Sequence, residues 1–252
     1  MKILVLLKET LATGSKIVLS SPVKIDDSEV QYTTNPYDEH ALEEAVRIKE
    51  KYGGEIEVLS AGRQDAASIL RNALALGADR AVLVIAGVKD SSDTSRVLAE
   101  TIKERATFDL ILAGWTDVEI KDSQVPGRLS EFLQVPLINI VNEIIGIDCA
   151  ERKITCRREG DGQDEIIEAT LPALISVQKN INEPRYPKVQ DIIEAGKKKI
   201  DMRSANIAAD SNDLVIRYTP VRKKRLGVRF DSSDPRKTAR ALVQKLLESK
   251  AL

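Results

Sequence analysis

The residues best suited to holding a ligand in this chain are small ones that follow short apolar runs. Gly62 follows residues 56–60, and Gly114 follows residues 110–113. Glycine lets a ligand approach the backbone closely because it has no Cβ atom. A helix is predicted to begin near Ser123, where free N–H groups and the positive dipole end favour a phosphate. The spacing is consistent with a nucleotide site, although glycines after strands also serve simply to make tight turns.

Residue types that carry out catalysis are scarce. One histidine, His40, and two cysteines, Cys149 and Cys156, give little support for zinc sites, a disulfide framework or histidine-based catalysis. The first apolar run is not followed by Gly-x-Gly-x-x-Gly, and the chain has no Gly-Lys-Ser/Thr phosphate loop. Trp115, directly after Gly114, has a ring that can stack on an adenine or a flavin, or lie in a partner interface. We therefore predict no catalytic residue and no metal site.

The charge balance and hydropathy argue against two classes of partner, nucleic acids and membranes. The 252 residues include 38 Lys and Arg and 39 Asp and Glu, whereas nucleic-acid-binding domains are usually basic. A basic run at residues 222–225 is more simply a solvated face. No apolar run approaches the roughly 20 residues that cross a bilayer, and residues 1–7 are too short for a signal peptide. We expect a cytoplasmic protein that binds no nucleic acid and does not insert into membranes.

Apolar strands alternate with amphipathic helices through the first 140 residues. The predicted strands cover residues 3–7, 56–60, 81–86, 110–113 and 137–141. Predicted helices begin at Asn35-Pro36, at Asp65, at a cap formed by Ser92 or Asp93, and near Ser123. Asn35 is expected to cap the first of them, since Asn is favoured at that position and Pro at the next. The alternation predicts an α/β fold with an open, mostly parallel, doubly wound sheet.

A hairpin and a proline-containing loop come next. Residues 153–158 and 164–169 flank a glycine-rich turn and predict an added β-hairpin. A buried strand over residues 171–177 then leads into residues 182–187, Asn-Glu-Pro-Arg-Tyr-Pro. Each proline fixes its own φ and biases the preceding residue toward extended geometry. Such a stiff, exposed loop suits docking, although an ordinary connector to the helix that ends at residues 197–199 is an equal alternative.

The composition becomes polar after residue 200. Residues 214–216 make a short strand at best, and Asp234-Pro235 opens a final helix with one apolar face. We therefore predict an α/β domain over residues 1–200 and an extended C-terminal arm over residues 201–252. The arm has too few apolar residues to build a core, so its helix needs another surface to lie on.

Several blocks of the sequence resemble the beta (small) subunit of electron-transfer flavoproteins, and the likeness covers nearly the whole chain. The most specific block is residues 182–187 with the Lys-rich helix end that follows. The other matching blocks are Lys8, residues 35–39 with 41–45, residues 76–80, residues 113–114 with 124–127, the hairpin at 157–165, and residues 171–173. The resemblance implies a Rossmann-like, adenine-nucleotide-binding sheet in an electron carrier without catalytic residues, because a flavin carries the chemistry.

The resemblance also implies cofactors and partners. In that family the small subunit pairs with an alpha subunit that holds the main redox FAD, and it binds AMP or, in electron-bifurcating members, a second FAD. The nucleotide would contact Leu6, Asn35, Ala61, Gly114, Ser123, Gln124 and Val125. Residues 182–199 would form a recognition loop for dehydrogenases of the acyl-CoA or another type. Its docking residues would be Glu183, Pro184, Arg185, Tyr186 and Val189. The arm would wrap around the alpha subunit.

Two departures from the family pattern favour AMP over a second FAD. Residues 119–122, Glu-Ile-Lys-Asp, stand where the family has an acidic-Gly-acidic-Thr stretch. Residues 8–13 lack the Lys-Gln-Val-Pro-Asp-Thr pattern of bifurcating members. The alternatives are a bifurcating member and a stand-alone adenine-nucleotide-binding regulator, which would form a homo-oligomer with a self-contained C-terminus.

Overall fold

The computed structural model describes residues 1–15, 17–21, 24–26, 28, 30–105, 107–205, 227–230 and 233–249. Its strands are β1 (Lys2–Leu6), β2 (Glu9–Leu11), β3 (Leu19–Ser21), β4 (Lys24–Ile25), β5 (Tyr32–Thr34), β6 (Glu55–Gly62), β7 (Arg80–Ile85), β8 (Leu110–Gly114), β9 (Leu137–Asp148), β10 (Lys153–Glu159), β11 (Asp164–Thr170), β12 (Ala173–Val177) and β13 (Ile200–Ser204). Its helices are α1 (Pro36–Tyr52), α2 (Ala67–Leu76), α3 (Ser91–Lys103), α4 (Val125–Leu133), α5 (Val189–Lys197) and α6 (Pro235–Glu248). The strand and the basic run expected at 214–216 and 222–225 lie outside the described residues.

The chain divides into two units, and the larger one comprises residues 1–18 and 25–214. Its main sheet has the strand order β11-β10-β9-β12-β8-β1-β6-β7-β13. All pairs from β9 to β13 in that order are parallel, whereas β10 pairs antiparallel with both β9 and β11. The open, mostly parallel sheet and the added hairpin are therefore confirmed.

Helices cover both faces of this sheet, as a doubly wound fold requires. Ile3 and Val5 of β1 pack with α1 and α2 on one face, and Leu4 and Leu6 pack with α3 and α4 on the other. Because successive strand residues point to opposite faces, a strand buried on both sides needs an unbroken apolar run. The sequence of β1 meets that requirement, and its last four residues are buried.

Two strands differ from the sequence prediction because strand pairing, rather than an apolar run, defines them. β9 continues seven residues past the predicted end at Val141, since its second half pairs with β10 of the hairpin. β13 crosses the domain boundary predicted at residue 200 and pairs in parallel with β7 at the sheet edge. Its mostly exposed residues give no apolar run that the sequence would reveal.

The starts of three helices also differ in detail from the prediction. Asn35 lies at the N-cap of α1, but its side chain makes no capping hydrogen bond. α3 is capped by Asp90, whose carboxylate accepts from the N–H of Asp93 at 2.9 Å, rather than by Ser92 or Asp93. α4 begins at Val125, two residues later than expected, without a side-chain cap.

The smaller unit comprises residues 19–24 and 215–252. Its helix α6 begins where the sequence predicted, and the Asp234 carboxylate accepts from the N–H groups of Arg236 and Lys237. The apolar face of α6 is exposed at Leu242, Val243 and Leu247.

Candidate functional site

The strand order reverses direction beside β1. The chain leaves β1 to build β6 and β7 on one side, and it then returns to place β8 on the other side. In open α/β sheets, ligands bind outside the carboxyl ends of the strands at such a switch point. The expected crevice therefore lies beyond Leu6, the last residue of β1, and Gly114, the last residue of β8.

All seven residues predicted to contact the nucleotide lie at or next to the carboxyl edge of the sheet. They are Leu6 and Gly114 at strand ends, Ala61 near the end of β6, Asn35 directly before α1, and Ser123, Gln124 and Val125 at the start of α4. Their contacts with a ligand remain a prediction.

Asp38 of α1 joins the ends of β1 and β8, and its position in the sequence does not reveal this role. Its carboxylate accepts from the backbone N–H of Lys8 at 2.8 Å and from that of Gly114 at 3.0 Å. Asn35 completes the attachment, because its backbone N–H donates to the Lys8 carbonyl at 2.8 Å and its amide donates to the Thr116 carbonyl at 2.9 Å. Asp38 stands in the third helical position, where an acidic residue reads as an ordinary N-terminal helix signal.

The Asp38 carboxyl is buried, which changes its protonation. Burial raises the pKa of Asp38 to about 7, although hydrogen bonds from the Lys8 and Gly114 N–H groups and the charge of Lys8 act to lower it. The folded protein thus holds a proton at pH values where the unfolded chain has lost it. The contribution of Asp38 to stability therefore falls as the pH rises from about 4 to about 7.

Gly114 has a packing reason to be a glycine, besides the predicted approach of a ligand. A Cβ atom at this position would lie 2.5 Å from Asp38 Oδ1, 2.6 Å from Tyr37 Cβ and 2.9 Å from the Tyr37 carbonyl carbon. The first turn of α1 therefore occupies the space that a side chain at position 114 would need. A Cβ atom at Gly62 would have no other atom within 4 Å, so space beside that strand end is open.

Trp115 is held next to α1 in an orientation that leaves its indole nitrogen unpaired. Its backbone N–H donates to the Val177 carbonyl at 3.1 Å. Its ring meets the Tyr37 ring edge to face, with 6.0 Å between centroids and an interplanar angle of 84°. The Lys179 ammonium lies 4.7 Å from the centre of the same Tyr37 ring. Nε1 of Trp115 is buried and has no acceptor in the structure.

Four further buried side-chain atoms among the described residues also lack a hydrogen-bond partner. Together with Trp115 Nε1 they are Thr10 Oγ1, Asn35 Oδ1, Ser60 Oγ and Asn142 Oδ1. Ser60 follows the partner of Leu6 in β6, and Asn142 follows the partner of Val177 in β9, so both lie at the carboxyl edge of the sheet. Because buried polar groups are normally hydrogen-bonded, this edge offers donors and acceptors to a polar ligand.

The loop between β8 and α4 is fixed by two aspartates. Asp117 accepts from the Lys8 ammonium at 3.0 Å and from the N–H groups of Glu119 and Ile120. Asp122 accepts from the Ser91 hydroxyl and, at 3.3 Å, from the N–H of Gln124. Lys121 and Ser123 have left-handed backbones, with φ of 59° and 54°. The uncapped start of α4 leaves N–H groups suited to an anion.

A second surface is formed by the predicted recognition loop, residues 182–199, which includes α5. Tyr186 is 94% exposed and Val189, the first residue of α5, is 74% exposed. With Ile192 and Ile193 they form an exposed patch, named here the apolar patch. α5 is attached to the body by Arg71 of α2, which donates to the carbonyls of Ala195 and Lys198 at 2.6 and 2.5 Å. Glu183, Pro184 and Arg185 precede the patch along the chain.

Comparisons with known proteins agree on one family. The family model described as "Electron transfer flavoprotein domain" matches residues 23–208. The electron transfer flavoprotein subunit beta of Bacillus subtilis (strain 168) is 36% identical over 267 residues, covering 100% of this chain and 99% of the relative. That of Syntrophomonas wolfei is 38% identical and covers 92% and 90%, and Protein FixA of Azotobacter vinelandii is 32% identical and covers 84% and 82%. Among the described residues, no helix combines the length and apolar composition needed to cross a bilayer. The family model and the relatives confirm the predicted resemblance, and the chain belongs to the electron transfer flavoprotein beta-subunit family, whose role is electron transfer.

Proposed function

We propose that this chain is the small subunit of a heterodimer that carries electrons from dehydrogenases to a downstream acceptor. The family assignment supports the role and a partner alpha subunit. FAD bound mainly by the alpha subunit would supply the electron chemistry. This chain would contribute a nucleotide site, a docking surface and, after β13, a C-terminal arm that packs on the alpha subunit. It would have no catalytic residue of its own.

The nucleotide proposed for this subunit is AMP. The observation that carries the proposal is that Trp115 Nε1, next to the end of β8, and Asn35 Oδ1, in the residue that bonds to Lys8, are buried without a hydrogen-bond partner. The Trp115 indole would donate to AMP, the amide oxygen of Asn35 would accept from it, and the N–H of Val125 at the uncapped start of α4 would receive the phosphate. These groups suit a ligand that has amino and hydroxyl donors, ring-nitrogen acceptors and a negative charge.

The docking surface is proposed to receive dehydrogenases of the acyl-CoA or another type. Apolar anchors that fill a partner's pocket contribute most of the binding energy in many interfaces. Val189 and Tyr186 are the most exposed of the larger apolar residues described, and both lie on a short segment attached to the body. We therefore assign Val189 as the principal anchor.

Co-expression with an alpha subunit tests this function. We expect a yellow complex with one copy of each chain. A colourless homodimer that does not bind the alpha subunit would instead support the stand-alone regulator. Recovery of two FAD per complex would identify the bifurcating alternative.

A further inference from the structure

The docking loop, defined here as residues 182–187, lies along α1 and is hydrogen-bonded to it at several points. The Asn182 amide donates to the His40 carbonyl at 2.9 Å and to the Glu44 carboxylate at 3.0 Å. Its amide oxygen lies 3.0 Å from His40 Nδ1. Arg47 reaches the carbonyl of Glu183 at 3.3 Å. The beginning of the loop is thus attached to the middle of α1.

Arg185 makes the strongest of these attachments. Its Nε and Nη2 atoms donate to the two carboxylate oxygens of Glu43 at 2.9 and 3.0 Å, and its backbone N–H donates to Glu43 at 3.2 Å. Its Nη1 and Nη2 atoms also donate to Glu50 at 2.6 and 3.1 Å. Bidentate pairs of this kind fix orientation as well as contributing energy. The guanidinium therefore has few donors left for another protein.

Glu43 is the buried member of the group, with a side chain that is 5% exposed. Burial acts to raise its pKa, but hydrogen bonds from Arg185 and Arg47 outweigh burial and hold the pKa of Glu43 below its usual value. Removing one partner of a buried ion pair leaves an uncompensated charge and is strongly destabilising. Glu50, by contrast, is 57% exposed, and exposed pairs contribute little.

We infer that Arg185 and Glu43 are positioning residues that hold the docking loop on α1, rather than residues that contact the dehydrogenase. The inference rests on the proposed docking function and refines it. A loop that is already ordered loses less conformational entropy when a partner binds. Tyr186 directly follows Arg185, and Val189 begins the next helix, so fixing Arg185 also fixes the path by which the chain reaches the apolar patch.

Amide hydrogen exchange of the heterodimer tests the positioning role directly. Exchange over residues 182–188 should become at least about tenfold faster in Glu43→Gln and in Arg185→Gln. The matched control Glu50→Gln, which removes an exposed carboxylate from the same arginine, should change it less than about threefold. Arg185→Lys, which keeps the charge, should restore part of the protection. If Glu43→Gln does not fold, the Arg185 variants decide; unchanged exchange in them overturns the inference.

Electron transfer from a dehydrogenase of the acyl-CoA type supplies a second readout. Arg185→Gln should raise the KM for the dehydrogenase several-fold and leave kcat unchanged, because only the ordering of the loop is affected. A lowered kcat with an unchanged KM would contradict a positioning role. Val189→Asp tests docking separately: if it leaves coupling unchanged while the exchange results hold, the docking function fails and the attachment of the loop to α1 stands.

Discussion

Replacing Gly114 with alanine should destabilise this protein, whereas the same change at Gly62 should not. Gly62 ends β6 and Gly114 ends β8, on either side of β1, but their surroundings differ. The added methyl group at position 114 would lie 2.5 Å from Asp38 Oδ1 and 2.6 Å from Tyr37 Cβ, whereas at position 62 it would meet no other atom within 4 Å. Real Cβ atoms do not approach other atoms that closely, so the first turn of α1 must move.

The magnitude follows from what that movement breaks. Overpacking a well-packed site typically costs about 1–3 kcal/mol. Moving Asp38 also weakens its hydrogen bonds to Lys8 and Gly114, each worth about 1 kcal/mol. We expect Gly114→Ala to lower the free energy of unfolding by about 3–5 kcal/mol, and Gly62→Ala to change it by less than about 0.5 kcal/mol.

Thermal unfolding of the two purified heterodimers is the assay. About 2–4 °C per kcal/mol is typical of domains of this size, so Gly114→Ala should lower Tm by about 6–20 °C and Gly62→Ala by no more than about 2 °C. Equal Tm values would refute the packing explanation. So would a Gly114→Ala protein of normal stability that has lost only its nucleotide, since ligand approach would then be what requires the glycine.

Three further predictions address the site and the docking surface. Asp38→Asn should remove up to about 4 kcal/mol of the stability decrease between pH 4 and pH 7, because the folded wild type keeps a proton that the unfolded chain releases; Tm profiles with equal slopes would contradict this. Trp115→Phe should weaken AMP binding to the nucleotide-stripped heterodimer by up to about tenfold, since it deletes an unpaired donor, and calorimetry showing an unchanged Kd would argue against that contact. Val189→Asp should raise the KM for the dehydrogenase by about tenfold or more, with an intact heterodimer by size exclusion; unaffected coupling would remove Val189 as the anchor.

The elements that could be predicted are those whose signals are local. The unbroken apolar run of β1 and the Gly-rich turn between β10 and β11 each specify their own structure, and the structure matches both. The second half of β9 depends on pairing with β10, the next strand in the chain, and the whole of β13 depends on β7, which is far away in sequence. Both are half-exposed and carry no unbroken apolar run. Their existence follows from pairing rather than from composition.

The candidate site also has some features that local signals predict and others that they do not. The position of the site could be predicted from the strand ends and the start of a helix, because the topology alone brings the carboxyl ends of the parallel strands together. The contacts within the site could not be predicted, since Asp38 has the pattern of an ordinary helix-start acid and nothing along the chain indicates that α1 packs against Gly114. The contact of Arg185 with Glu43 could not be predicted either, because the two residues are 142 positions apart along the chain.

The nucleotide content of the purified heterodimer tests the central claim most directly. Acid extraction followed by chromatography should release one AMP and one FAD per complex. Two FAD and no AMP would place the protein on the bifurcating branch, and a complex without any adenine nucleotide beyond the alpha subunit's FAD would contradict the proposed site at the carboxyl edge of β1 and β8.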